Sequence, residues 1–170
     1  SEDPPEYHTL STRIPSDLYG DRIDMLAKET GRTKSFYVQK MLDESIEDFE
    51  LLHLAKMRSE EVRSGKSGVY TWEEVKAGMT YNIIFSEHAE KEFDTLDRSI
   101  QQGINTFIEK LIDCNDPCSQ GAPLEENFSS YCTFRVGDYR MIAEIQEDIS
   151  VVLVLAVGHI YRKGRSRLLD

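Results

Sequence analysis

Residues 131–157, YCTFRVGDYRMIAEIQEDISVVLVLAV, contain three runs that are typical of β-strands. The runs are YCTFRV (131–136), YRMIAEIQ (139–146) and ISVVLVLAV (149–157), and each is rich in β-branched, aromatic or other apolar residues. Gly137-Asp138 and Glu147-Asp148 separate the runs at the spacing of hairpin turns. This part of the sequence therefore predicts three consecutive antiparallel strands.

The residues before this stretch predict one more strand and two helices. MTYNIIF (79–85) has the composition of a strand, and Ser86 is suited to cap a following helix. Apolar residues then recur at helical spacing in two groups, first Ala89, Phe93 and Leu96, and then Ile100, Ile104, Phe107, Ile108 and Leu111. The order β-α-α-β-β-β predicts an α+β fold, with an antiparallel sheet and a helical hairpin on one face.

The N-terminal part has a different pattern. TLSTRI (9–14) alternates, with Leu10, Thr12 and Ile14 on one face, as in a half-buried strand that ends at Pro15. DLYGDRIDMLAKETG (17–31) predicts a helix that ends at Gly31. A second helix is predicted from Thr33 or Ser35 toward Val62, and its apolar side consists of Val38, Met41, Leu42, Ser45, Ile46, Phe49 and Leu52.

This β-α-α module cannot be stable as a single copy. A strand of six residues needs a partner strand, and a module of this size cannot bury the whole apolar side of so long a helix. Both problems are solved when two copies pair their strands and interlock their helices. The sequence therefore predicts a homodimer.

Residues 63–78, RSGKSGVYTWEEVKAG, are predicted to join two modules. Two glycines and two serines at the start indicate a flexible joint. The apolar residues that follow suggest a segment that docks onto a protein surface; they are Val69, Tyr70, Trp72 and Val75. The alternative is an ordinary helix within one continuous domain.

Composition limits the possible functions. The 170 residues suffice for one ordinary domain or two small ones, and the net charge is −11. Residues 1–78 carry 11 basic and 16 acidic side chains, and residues 79–170 carry 9 and 15, so nucleic-acid binding requires a local basic cluster. We expect no membrane span, a cytoplasmic location and no cofactor. Three cysteines indicate neither a disulfide scaffold nor a zinc site.

TLSTRIPSDL (9–18) and LAKETGRTKSFYVQKML (26–42) resemble the ribbon-helix-helix family of DNA-binding repressors, of the Arc and CopG type. The resemblance implies that two strands pair into a ribbon that enters the major groove of operator DNA. Thr9, Ser11 and Arg13 then face the bases, and Arg13 can bind guanine with two hydrogen bonds. The residues from Thr33 through Lys34 to Ser35 then hold a phosphate at the start of the second helix.

FRVGDYR (134–140) and VLVLAVGH (152–159) resemble the RelE/ParE toxin superfamily, over nearly all of residues 79–170. Together the two resemblances suggest an antitoxin and its toxin in one chain. Residues 1–62 are then a ribbon-helix-helix antitoxin of the RelB type, residues 63–78 a tail that masks the toxin through Val69, Tyr70, Trp72 and Val75, and residues 79–170 the toxin.

RelE-type toxins cut messenger RNA on the ribosome without a metal, and the resemblance implies catalytic residues by position. Of two alternate strand positions that are basic in the family, one holds Thr133 and the other Arg135. Arg140 matches the family's arginine in the next strand, whereas Ile160 stands where another arginine is expected. Further candidates are His159 as acid or base, and Tyr161 and Arg162 as substitutes. Alternatively, these arginines are surface charges paired to carboxylates.

Three functions remain open from the sequence. The first is an autorepressing antitoxin joined to a RelE-like, ribosome-dependent mRNA endoribonuclease. The second is a ParE-like toxin that inhibits DNA gyrase. The third is a DNA-binding repressor whose C-terminal module is inactive and serves as a corepressor. The partial set Arg135, Arg140 and His159 favours the first function.

Overall fold

The computed structural model describes residues 3–72, 78, 80–126 and 130–159. The chain divides into two compact units, Ser1–Glu44 and Ser45–Asp170. The sequence placed the module boundaries at residues 62/63 and 78/79, whereas this division falls inside a helix. The assignment of residues 1–62, 63–78 and 79–170 to separate functions stays a prediction.

The first unit consists of helical segments after an irregular start. A π-helical turn at Ser16–Gly20 leads into helix α1, Asp21–Thr30, which ends at Gly31 with a left-handed φ of 69°. Helix α2, Lys34–Arg63, begins in this unit, and the Thr33 hydroxyl accepts a hydrogen bond from the Phe36 amide at 3.0 Å. Thr33 therefore caps the helix instead of leaving that amide free.

Residues 3–15 are in neither helix nor strand, and residues 9–14 are exposed. A strand requires a hydrogen-bonded neighbour, and the sequence placed that neighbour on a second chain. The apolar side of α2 is also uncovered near its start, with Val38, Met41, Ile46 and Phe49 exposed, the last by 72%. The ribbon and the homodimer stay predictions.

The second unit is built around a sheet of six strands in the order β1-β2-β6-β5-β4-β3. The strands are β1 Val69–Thr71, β2 Asn82–Ser86, β3 Ala122–Pro123, β4 Tyr131–Val136, β5 Tyr139–Gln146 and β6 Val151–His159. The expected antiparallel sheet was wrong in one pairing, because β2 and β6 run parallel. Helices α3, Glu87–Asp94, and α4, Arg98–Ile112, connect β2 to the later strands, and a helical connection leaves the strand direction open.

Two apolar layers cover the sheet. On one face, α3 and α4 pack on side chains that include Phe85, Phe134, Met141 and Val154. On the other face, the second half of α2 packs on Ile142, Leu153, Leu155 and Ala156. Strands β5 and β6 are therefore buried on both sides, which explains the nearly continuous apolar run of β6.

The predicted turns and the helix cap can be compared with the structure directly. Gly137 and Asp138 connect β4 to β5, and Gly137 has a φ of 60°, which glycine adopts without strain. Glu147–Ile149 form a short 3₁₀ turn before β6, so this connection is longer than the predicted two-residue hairpin. The Ser86 hydroxyl accepts a hydrogen bond from the Ala89 amide at 3.2 Å, which confirms the predicted cap of α3.

Cys118 and Cys132 form a disulfide, with Cα atoms 5.7 Å apart. The sequence does not predict this bond, because three cysteines without a dense pattern do not indicate a pairing. The bond joins a 3₁₀ turn, Pro117–Gln120, to β4, and Gly121 lies so close to β4 that an added Cβ would overlap the Thr133 carbonyl oxygen. The fold therefore holds this loop tightly against the edge of the sheet.

Replacing Cys118 by Ser should lower the free energy of unfolding by about 3 kcal/mol, because the disulfide closes a loop of roughly 15 residues in the unfolded chain. Urea denaturation without reductant measures the change. The control is Cys114→Ser, which removes the free thiol and should leave stability unaltered. Equal stability of wild type and Cys118→Ser would show that the bond does not form in solution.

Candidate functional site

Two of the predicted catalytic residues lie side by side. Arg135 of β4 and Arg140 of β5 are directly opposite each other in the antiparallel pair that flanks the Gly137-Asp138 turn. Residues directly opposite each other share one face of a sheet. Ile142, two residues after Arg140 in β5, is on the same face as Arg140 and packs against α2. The two guanidinium groups therefore belong to the same face as α2.

Arg140 is paired to α2. Its Nη1 atom lies 3.5 Å from Oε1 of Glu47 and 3.4 Å from Oδ1 of Asp48. The Arg140 side chain is only 16% exposed, whereas that of Asp48 is 53% exposed. The alternative of arginines paired to carboxylates thus describes Arg140, and the carboxylates come from the helix that covers this face.

His159 is on the other face of the sheet. It is opposite Tyr139 in the β5–β6 pair, and the two rings are in contact with centroids 5.0 Å apart. Tyr139 is on the same face of β5 as Met141 and Ala143, which pack in the layer under α3 and α4. The structure therefore separates His159 from Arg135 and Arg140. Tyr161 and Arg162 lie outside the described residues.

Thr133 occupies one of the two alternate strand positions at which the family resemblance implies a basic residue. It lies opposite Ile142 and two residues before Arg135 in β4. Its hydroxyl oxygen is buried and has no hydrogen-bond partner among the residues that the structure describes. A longer cationic side chain at this position would extend into the apolar residues that pack between the sheet and α2.

The attachment of α2 to the sheet is mainly apolar. Leu51, Leu54 and Ala55 are buried against the apolar side chains of β5 and β6. The sequence prediction did not include this contact, because it assigned one apolar side of α2 to a dimer. The signal was present, since Leu51, Leu54 and Ala55 repeat at helical spacing on a side of α2 different from that of Val38.

Arg58 of α2 connects the helix to the part of β6 that extends beyond its pairing with β2. It donates to Oε1 of Glu92 at 2.7 Å and to the Leu155 carbonyl at 2.8 Å. Glu92 of α3 in turn accepts a hydrogen bond from the Val157 amide at 3.3 Å. Strand β2 is paired to β6 only as far as Val154, so these side chains satisfy backbone groups beyond that pairing.

A second polar cluster lies beneath α2. The buried Glu144 carboxylate of β5 accepts hydrogen bonds from Ser59, from Arg63 Nη2 at 2.6 Å and from Gln146 Nε2 at 3.2 Å. The negative charge of Glu144 raises the pKa of Arg63 above its ordinary value. Ser59 is buried, and its hydroxyl is satisfied by the buried Glu144 carboxylate.

The predicted docking segment forms strand β1 at the edge of the sheet. Val69, Tyr70 and Thr71 pair antiparallel with β2, and the Trp72 amide donates to the Ile83 carbonyl at 3.0 Å. The Trp72 indole packs against the core under the helices and donates to Asn105 Oδ1 at 3.0 Å. Val75 lies outside the described residues.

Strand β1 and α2 cover different parts of the second unit. Beside Trp72 is an open cleft lined by aromatic and acidic side chains: Tyr70, Phe85, Phe93, Glu90, Asp94 and Glu109. This cleft is on the side of α3 and α4, and it contains neither Arg135 nor Arg140. Strand β1 is therefore an anchor for the chain, and α2 is the element that contacts Arg140.

The predicted DNA-binding residues belong to the first unit. Thr9, Ser11 and Arg13 are exposed in the irregular start of the chain, and Ser35 is exposed at the beginning of α2. Lys34 Nζ lies 2.7 Å from Asp24 Oδ1, so a phosphate at this position would compete with a carboxylate. The Thr33 hydroxyl is used as the helix cap described above.

Among the described residues, no group of three or more His, Cys, Asp and Glu side chains is placed to hold a metal ion. In the same part of the chain, every helix is too short or too polar to cross a bilayer.

Replacing Glu144 by Ala should lower the free energy of unfolding by about 1–3 kcal/mol, because the buried Ser59 hydroxyl loses its acceptor. The matched control is Glu61→Ala, which removes another carboxylate of α2. Its Oε2 atom lies 2.9 Å from Nε2 of His88, and both side chains are partly exposed. That change should cost about 0–1 kcal/mol. Chemical denaturation of both variants measures the difference, and equal losses would contradict a buried role for Glu144.

Three solved structures are similar to about half of this chain. The toxin–antitoxin complex RelBE2 of Mycobacterium tuberculosis matches at 25% identity over 47% of this chain and 98% of that chain, with a TM-score of 0.42. The isolated RelE toxin of E. coli matches at 18% identity over 49% and 87%, with a TM-score of 0.43. The RelE–RelB complex of Pyrococcus horikoshii OT3 matches at 19% identity over 50% and 100%, with a TM-score of 0.42.

None of the curated proteins compared with the chain matches it. Residues 83–163 match the family model described as the ParE toxin of the type II toxin-antitoxin system parDE. The matched segment contains the arginines of β4 and β5 and the whole sheet from β2 onward, apart from the first residue of β2. Residues 83–163 of this chain are therefore similar to the ParE toxin family.

Proposed function

We propose that this chain is an antitoxin and a toxin in one polypeptide. In this proposal residues 79–170 are a RelE-like endoribonuclease that cuts messenger RNA on the ribosome in the cytoplasm, and residues 1–78 hold it inactive. The observation that carries the proposal is the pair Arg135 and Arg140, which are opposite each other in a toxin-superfamily domain and lie on the face covered by α2.

The proposed reaction needs cationic groups next to a phosphodiester. The ribose 2′-oxygen attacks the adjacent phosphorus, the O2′–P bond forms, and the bond from phosphorus to the next 5′-oxygen breaks. The phosphoryl oxygens gain negative charge on the way, and guanidinium groups at fixed positions stabilise that charge. Arg135 and Arg140 are assigned this role.

The structure offers less support for the proton transfers of this reaction than for charge stabilisation. One proton must leave the 2′-hydroxyl and one must reach the departing 5′-oxygen. His159, the predicted acid or base, is on the opposite face of the sheet from both arginines. Stabilisation of charge by the arginines therefore supports the proposal more than acid–base catalysis by His159 does.

A ParE-like inhibitor of DNA gyrase is the second candidate. The matched family model is named for ParE, and a gyrase inhibitor requires no acid or base beside Arg140. The separation of His159 from the arginines is therefore the specific observation that favours this candidate.

The N-terminal unit is proposed to bind operator DNA as a dimer and to repress its own operon. In its support, Arg13 is exposed, and the first part of α2 presents uncovered apolar side chains to a second copy. If the toxin domain proves inactive, the chain is a DNA-binding repressor whose C-terminal unit serves as a corepressor.

Production of residues 79–170 alone should arrest bacterial growth and generate cleaved messages, which primer extension detects. Arg140→Ala should lower the cleavage rate by about 10²- to 10³-fold, the usual effect of removing one group that stabilises developing charge. Arg98→Ala is the matched control, because Arg98 is exposed at the start of α4. Accumulation of each variant is checked by immunoblot.

The other outcomes of this experiment separate the candidates. Filamentation with DNA damage and intact messages would favour gyrase inhibition. Normal growth with soluble toxin domain present would favour the inactive corepressor. Cleavage that persists in Arg140→Ala would remove Arg140 from the site.

Arg13→Ala in the full chain should weaken binding to the DNA upstream of its own gene by about 10-fold or more, since one bidentate contact to guanine is worth roughly 1–3 kcal/mol. Fluorescence anisotropy measures the affinity. Arg22→Ala is the control, because Arg22 is exposed on α1 and donates to the Leu18 carbonyl. Equal affinities of the two variants would exclude Arg13 from base recognition.

A further inference from the structure

Two neighbouring carboxylates of α2 share one arginine of the toxin domain. Nη1 of Arg140 is 3.5 Å from Glu47 Oε1 and 3.4 Å from Asp48 Oδ1. Arg135, on the facing strand, adds a second guanidinium to the same face. The helix thus places two negative charges where two positive side chains are opposed.

These ion pairs are not what attaches α2 to the sheet. Ion pairs with such distances and partial exposure contribute little to the free energy of folding. The attachment comes from the buried Leu51, Leu54 and Ala55 and from the polar clusters around Arg58 and Glu144. Glu47 and Asp48 precede this anchored region, so α2 would remain in place without their charges.

The charge at this position exceeds what a single arginine needs. One carboxylate is sufficient to neutralise Arg140, and a second one in the same contact adds repulsion between Glu47 and Asp48. Two acidic oxygens near one guanidinium nitrogen provide instead acceptor atoms like the two non-bridging oxygens of a phosphodiester, and the two carboxylate charges together match the two positive charges of Arg135 and Arg140. Arginines recognise both kinds of anion with the same geometry.

We propose that Glu47 and Asp48 imitate a phosphodiester and occupy the anion site of Arg135 and Arg140. This inference rests on the proposed toxin function and specifies its regulation: α2 inhibits by competing with the backbone phosphate of single-stranded RNA. Because the competition is electrostatic, the carboxylates set the affinity of this site for RNA, and the apolar anchor keeps them in place.

The test uses the full chain and a fluorescent single-stranded RNA whose 2′-hydroxyls are all methylated, so that binding does not depend on cleavage. Glu47→Ala/Asp48→Ala should bind this RNA about 10-fold more tightly than wild type in fluorescence anisotropy at low salt. Adding Arg140→Ala to the double variant should abolish the gain.

The matched control is Asp43→Ala/Glu44→Ala, which removes the same two charges from exposed positions on the same helix. An equal gain in RNA affinity in this control would show that the effect comes from the change in net charge alone, and it would overturn the proposal. A gain that survives Arg140→Ala would place the RNA elsewhere and would also overturn it.

No gain in a folded variant would overturn the proposal as well. Folding is verified by circular dichroism and thermal unfolding, and Glu47→Gln/Asp48→Asn, with nearly unchanged side-chain volume, replaces the first variant if that one does not fold. Failure of the toxin function gives a different result: the gain appears and depends on Arg140, while unmodified messenger RNA is not cut.

Discussion

The packing of Leu51, Leu54 and Ala55 against β5 and β6 is the interaction on which the position of α2 over the sheet depends. It covers a sheet face that carries Ile142, Leu153, Leu155 and Ala156. Full burial of each leucine side chain is worth about 1.5–3 kcal/mol. It also fixes the position of α2 along the sheet, and therefore the position of every charged residue that α2 carries.

Apolar and charged contacts have different roles along this helix. The apolar contacts are not specific for a chemical group, but they are strong enough to hold the helix to the sheet. The charged contacts of Glu47 and Asp48 are weak, and they meet the residue that the toxin proposal requires to be free. Acidic residues on a helix that is held by apolar contacts can block an anion site even when their own ion pairs add little to the free energy of folding. Strand β1 and Trp72 add a second attachment on another edge of the sheet.

The local elements of the second unit could be predicted from the sequence to a large extent. Alternation and turn residues located β4 and β5, and apolar spacing located α3 and α4. Other features depended on contacts between distant residues. The disulfide joins Cys118 to Cys132, and its formation depends on how the loop returns to β4. The parallel pairing of β2 with β6 likewise depends on the path of the two helices between them.

The sequence by itself determined which residues are apolar, where the chain turns and which basic side chains stand at strand ends. These properties are local, because a strand has a period of two and a helix a period of 3.6. Only the tertiary structure decided that Arg135 and Arg140 share a face, that His159 lies on the other face, and that Glu47 and Asp48 meet Arg140. Strand register and the choice of which side of α2 is buried set these relations, and both arise from packing between segments far apart in the chain.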